Sequence, residues 1–404
     1  MSREDLDRLL SEAEDLDCSP TKVAILEEAV RIADALRDVG KGYQVREELI
    51  RAATFSDLED RAIVAFAWCL AQSDKNPDRF PEKELLWSYN HWILNGITDF
   101  PNISLDRIRE LQEDYERRLR RQGYGMKSYY FLRMNNAIEM GFIKESDGFE
   151  KLWLKAKSDE MTPCKACQLD RVVTQHVFEG RYAQAIDAAG RILSGKLSCN
   201  RISLSDVYED LLTAYWGVGD RTKAEEIFSR GYRLVAGDRD CLRSVSGYLN
   251  HLVRIFDIHR GMNLIERHLP WVSCLNNLDD RAIIFSRIAN FFERLAAERP
   301  QSRRIRIPQT MPIYNDDGHY DPAVIAAWFR EQSEKIAAQF DARNSNNYSS
   351  WSLASMRAEV LGLKCPEYEE PKSAELATSR RTKEPGRRGR AGKTTKSTQT
   401  KSQP

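Results

Sequence analysis

Residues 208–231 read Tyr208-Glu-Asp-Leu-Leu-Thr-Ala-Tyr215-Trp-Gly-Val-Gly219-Asp-Arg-Thr-Lys-Ala224-Glu-Glu-Ile-Phe228-Ser-Arg-Gly231. Tyr208, the two leucines and the Ala214–Tyr215 pair recur at the spacing that gathers side chains on one helix face. Gly219-Asp220 makes a tight turn. In the helix beyond it, Ala224 is small where two helices cross closely. Phe228 fills the space one turn later, and Gly231 is small again. One short stretch therefore encodes a pair of antiparallel helices.

The same template slides in both directions. Upstream, Val172, His176, Gly180, Ala185, Ala189 and Ile192 take the corresponding positions. Downstream, Val245, Leu249, Leu252, Gly261, Ile265 and His268 do so, followed by Pro270. The small residue at the crossing falls at 185, 224 and 261, steps of 39 and 37. The order bulky, Leu, Ala-Tyr, Gly, Ala, aromatic, small resembles the tetratricopeptide repeat, whose usual period is about 34 residues. The likeness spans residues 165–270, and Ser2–Glu160 matches only as generic helical hairpins. It implies an all-α, TPR-like solenoid of stacked antiparallel hairpins presenting a groove to a protein or peptide partner, without catalysis. The layout is also similar to a group of poorly characterised bacterial tetratricopeptide-type proteins with a late segment like Trp328–Asn344, which implies a bacterial cytoplasmic setting.

The rest of the chain agrees with this helical reading. From Ser104, a capping residue, Leu105, Ile108, Leu111, Tyr115 and Leu119 recur three or four apart up to Gly123. Comparable helices are expected near 22–38, 57–72, 82–95 and 146–157. The expected divisions are 1–160 as N-terminal hairpins, 161–298 as the clearer repeats, 299–320 as a long loop, and 321–365 as C-terminal helices. That loop carries Pro300, Pro308, Pro312 and Asn315-Asp-Asp-Gly318, so it is either mobile or packed on the helices. Residues 366–404 read as a disordered basic tail.

Composition narrows the function classes. The 404 residues include 61 basic and 61 acidic side chains, so bulk charge predicts no polyanionic partner. The balance hides an asymmetry: residues 371–404 carry ten Lys or Arg against Glu375 and Glu384, net +8, leaving −8 on residues 1–370. Such a tail reads either as a solvated extension or as a weak contact, without sequence preference, for nucleic acid or an acidic membrane surface. No basic-then-apolar leader opens the chain and no apolar run approaches a membrane span, so cytoplasm is expected. Eight dispersed cysteines do not suggest a disulfide framework. The oligomeric state is left open.

Candidate sites are few. Projected on the template, the inner groove positions are Asp170 and Thr174 in one copy, Glu209, Thr213 and Trp216 in the next, and Arg243, Asn250 and Arg254 in the third. Trp216 reads either as an exposed anchor for a peptide or as a packed residue. Cys164-Lys-Ala-Cys167 opens one helix and Cys199 follows the second helix of the same hairpin, so antiparallel geometry brings the three thiols to one end. Three readings stand: small buried thiols, a zinc site short of an obvious fourth ligand, or a redox pair. Cys241 lies at the same end one repeat further on. His176 falls on a core-facing position. Gly386, Gly389, Gly392, Lys393 and Thr394 imitate a phosphate-binding loop, but the glycine spacing is five or two where four is required.

Overall fold

The computed structural model describes residues 2–195, 197, 199 and 204–370. Those residues form seventeen α-helices and one two-stranded antiparallel pair. The first eight helices are α1 Arg3–Glu14, α2 Pro20–Ala35, α3 Val39–Thr54, α4 Glu59–Lys75, α5 Glu82–Ser88, α6 Leu105–Arg121, α7 Lys127–Glu139 and α8 Ile143–Lys155. A π-helical turn, Tyr89–Leu94, extends α5. Then follow α9 Lys165–Phe178, α10 Tyr182–Leu193, α11 Leu204–Gly217, α12 Arg221–Val235, α13 Leu242–Ile255, α14 Ile258–Val272, α15 Leu278–Glu298, α16 Pro322–Asn344 and α17 Tyr348–Leu361. Residues 371–404, and with them the expected disorder and basic character of the tail, lie outside the described residues. No helix among the described residues is long and apolar enough to cross a membrane.

Local chemistry fixes where these helices begin and turn. Ser2 and Asp5 cap each other's backbone at α1, Ser19 precedes Pro20 at α2, and Ser104 accepts from the Arg107 amide at α6. Gly180 (φ +70°) and Gly219 (φ +82°) turn the chain between α9 and α10 and between α11 and α12. The equivalent turn after α13 uses Phe256 at φ +55°, a conformation that side chains bearing a Cβ rarely hold.

Most helices pack on their neighbours in sequence, and α9, α11, α13 and α15 also pack side by side. These four form one row, with α10, α12 and α14 behind them. The crossings depend on small residues: Ala185 and Ala224 are fully buried, and Gly261 meets α15. A Cβ on Gly261 would lie 2.1 Å from a ring carbon of buried Phe291. Gly261→Ala is therefore expected to cost about 1–3 kcal/mol by overpacking, read as a lower urea midpoint at unchanged slope. Unaltered stability would show that α14 and α15 are not in this contact.

The long segment after α15 is packed. Arg303–Arg304 pairs with His319–Tyr320, and Ile305, Ile307, Met311 and Tyr320 are buried in the main apolar core. The end of the described chain is also held. Trp351 Nε1 donates to the Pro366 carbonyl at 2.9 Å, and the Tyr368 hydroxyl donates to the Gly141 carbonyl at 2.7 Å.

A second set of contacts joins the early helices to the late ones. Asp57 accepts from the Asn276 and Asn277 amides at 2.6 and 2.8 Å. Arg343 donates to the carbonyls of Thr98 and Phe100, and Asn346 donates to that of Met140. The N-terminal and C-terminal helices thus meet, with a cavity between them.

Candidate functional site

The cavity has a volume of about 790 Å³, within the range of ligand pockets. Its walls come from the π-helical turn after α5, from α7, from the row α9, α11, α13 and α15, and from α16 and α17. Eight carboxylates face it: Asp99, Glu139, Asp170, Asp206, Glu209, Asp210, Asp279 and Asp280. Four arginines answer them: Arg171, Arg243, Arg287 and Arg343. Carboxylates therefore outnumber guanidinium groups by four.

Several of these charges are already spoken for. Arg243 Nη1 bridges Asp279 and Asp280 at 2.6 Å each. Burial works against the Arg243 charge, but the two aspartates more than offset it and hold its pKa well above the usual value. Arg287 pairs with Glu209 and donates to Ser246 and the Arg243 carbonyl. Four of the remaining five acids accept from neutral donors: Glu139 from Thr98 at 2.8 Å, Asp99 from Asn277 at 3.0 Å, Asp206 from Ser244 at 2.5 Å and Asp210 from Thr174 at 2.7 Å. Asp170 Oδ1 and Asn135 Oδ1 are buried with no hydrogen-bond partner among the described residues.

Desolvation without a paired cation raises a carboxylate's pKa. Burial pushes Asp170 up to about 7, with Asp206 adding repulsion. Asp210 rises to about 8, again chiefly by burial; the Thr174 bond opposes this, and Glu209, Asp170 and Asp206 reinforce it. Glu139 reaches about 6 by burial. Asp99 is held well above its ordinary range by burial and then by Asp279 and Glu139. On the other side, burial lowers Arg171 and brings Arg343 down to about 10. The cavity is open to solvent: Asp206 is exposed, and the Arg243 and Asp279 side chains remain 48% and 35% exposed.

Of the inner positions read from the repeat, Asp170, Thr174, Glu209 and Arg243 line this cavity. Thr213, Trp216, Asn250 and Arg254 do not. Trp216 is half-buried between the Arg221 and Arg254 guanidiniums, 3.7 and 5.3 Å from its ring centre. Its Nε1 donates to His251 Nδ1 at 2.9 Å, and Arg254 pairs with Glu359. The repeat pattern did not point to Asp99, Glu139, Asp210, Asp279, Arg171, Arg287 or Arg343. A signal existed for Asp206 and Asp210, which with Glu209 stand three and four apart on α11.

The Trp216–His251 contact has its own consequence. Because Nδ1 accepts from Trp216, the proton sits on Nε2 and is donated to Glu225, 2.9 Å away. Burial lowers the His251 pKa, with Glu225 opposing. The unfolded chain therefore takes up the second ring proton first, so stability begins to fall below about pH 6.5 and is lost as pH drops through the lower folded value. His251→Leu should cost about 1–3 kcal/mol at pH 7.5 by stranding the indole N–H, and less at pH 5.5. Equal losses at both pH values in urea titrations would refute this account.

The cysteines predicted to meet do meet. Cys164, at the N-cap of α9, lies 3.5 Å from Cys167, which lies 3.5 Å from Cys199, sulfur to sulfur. Cys241 is outside this group; its sulfur is 3.5 Å from Asp238 Oδ2. His176 is half-buried, with Nδ1 lacking a partner among the described residues.

These features define an all-helical chain with a charged cavity and a cluster of three thiols at its wall. Comparison with models of known protein families finds no match, and comparison with curated proteins finds none either.

Proposed function

We propose that the chain is a non-enzymatic binding module: a tetratricopeptide-like α-solenoid whose inner wall receives a basic segment of a peptide or protein partner. The observation that carries this reading is the surplus of carboxylates over arginines in the cavity. A Lys or Arg side chain placed among Asp170, Asp206 and Asp210 replaces repulsion and lost hydration with charge-assisted hydrogen bonds. The unpartnered oxygens of Asp170 and Asn135 offer acceptors for the donors of such a group. The inner row of α9, α11, α13 and α15 is what a stack of hairpins supplies for this purpose. Acceptance of a cation needs no covalent step.

The test is binding of short peptides to the purified full chain by calorimetry, comparing Arg- and Lys-containing sequences with their Glu-substituted counterparts. Preference for the basic set, reduced at least tenfold by Asp170→Asn with Asp210→Asn, is expected; ~1.4 kcal/mol corresponds to that factor. Equal affinity for both sets, or indifference to the paired substitution, overturns the proposal.

A further inference from the structure

We propose that Cys164, Cys167 and Cys199 bind one zinc ion as a three-thiolate site, with solvent in the fourth position. The three sulfurs all lie within 4.8 Å of one another. Two of their separations are 3.5 Å, close to the ~3.8 Å edge of a tetrahedron with Zn–S bonds near 2.3 Å. The site therefore exists as folded, and a small adjustment of side-chain rotamers opens it to the ion.

Three further observations favour a metal over chance proximity. The ligands come from two places in the chain: one helical turn supplies Cys164 and Cys167, and the segment after α10 supplies Cys199. Antiparallel packing of α9 on α10 brings them together. Cys164 Sγ accepts the Cys167 backbone N–H at 3.4 Å, and it sits at the positive end of a fourteen-residue helix. Both features hold Cys164 Sγ beside Cys167. Finally, Cys164 is exposed while Cys167 and Cys199 are half-buried, so an ion can enter without the helices separating.

The chemistry balances as a proton exchange. One Zn²⁺ replaces three thiol protons, which leave to solvent, and the resulting site carries one net negative charge. Nothing is oxidised or reduced. A bound ion ties the start of α9 to Cys199, beyond the end of α10. Pro163 and Cys167 also line the cavity, so the ion lies at its wall. The zinc site does not depend on the proposed peptide ligand.

The experiment uses the full chain, reduced, loaded with zinc and dialysed. Metal analysis is expected to give one ion per chain. Zinc should protect Cys164, Cys167 and Cys199 from alkylation, mapped by mass spectrometry, while Cys274 and Cys365 react at unchanged rates. Cobalt in place of zinc should give thiolate-to-metal charge-transfer absorption. Cys199→Ser should lose the ion and Cys241→Ser should keep it, with helix content checked by circular dichroism. Retention of well under one ion by the reduced wild type overturns the proposal, as does protection that spares any of the three cysteines. A Cys164–Cys167 disulfide formed in air that zinc does not prevent also overturns it, and favours a redox pair instead.

Discussion

Arg118→Met is expected to destabilise the protein by about 3 kcal/mol or more, among the largest losses available to a single polar substitution here. Arg118 lies on α6 with its side chain 9% exposed. It donates to Asp114 at 2.7 Å, to both oxygens of Asp74 at 2.7 and 2.8 Å, and to Glu82 at 2.5 Å. Glu82 is itself only 5% exposed. Removing the guanidinium leaves that carboxylate buried with Arg121 and Gln122 as its remaining donors. Methionine fills similar volume, so the cost measures charge and hydrogen bonding more than packing.

The pH dependence of the same variant separates this account from simple cavity creation. Burial tends to raise the Glu82 pKa, but bonds from Arg121, Arg118 and Gln122 prevail and lower it. The Arg118 bond lowers Asp74 as well. A carboxylate with a depressed folded pKa stabilises the native state above the unfolded value near 4, and this contribution fades as pH falls through the folded one. Wild type should therefore lose stability steeply below pH ~4, and Arg118→Met should lose less over the same interval. In a double-mutant cycle with Glu82→Gln, the combined loss should fall short of the sum by at least ~1 kcal/mol. Additive losses would mean that the network does not act as a unit.

Helix positions and crossings were legible because their causes are local. Ser104 to Gly123, and the template running through Ala185, Ala224 and Gly261, each rest on residues within two or three helical turns of one another. The three cysteines were legible for a related reason, since one hairpin fixes which ends meet. The cavity was not. Its closure depends on Asp57 with Asn276, and on Arg343 with Thr98, pairs separated by 219 and 245 positions. No periodicity connects such distant residues. Asp279 and Asp280 illustrate the difficulty. As a sequence they are ordinary acids in the first turn of a helix, and only the fold makes them partners of Arg243. Trp216 was placed correctly on its helix, but its environment depends on His251, 35 residues on. The segment 299–320 announced through its prolines that it is not helical. Its buried Ile305, Ile307 and Met311 were the available hint that it packs.

The cavity itself should make stability fall as pH rises from about 4 to 8, opposite to the Glu82 and Asp74 contribution. Asp170, Asp210 and Glu139 titrate near 7, 8 and 6 in the folded chain, against about 4 when unfolded. Between those values the native state holds protons that the unfolded state has released, so each unit of rising pH favours unfolding. Asp210→Asn removes the most strongly perturbed of the three. At pH 8 it should stabilise the protein by on the order of 1–3 kcal/mol. At pH 5, where the wild-type side chain is already neutral, the gain should be small. A basic peptide reverses the slope, because its cation favours the ionised carboxylates. Its affinity should therefore increase from pH 6 to 8 with release of protons, measurable as a buffer-dependent heat in calorimetry. Urea titrations at pH 5 and 8 decide the stability half. A wild-type protein equally stable at both, with Asp210→Asn neutral at each, would show that these carboxylates are not confined as described. Tighter peptide binding at pH 6 than at pH 8 would show instead that a cationic side chain is not what the cavity accepts.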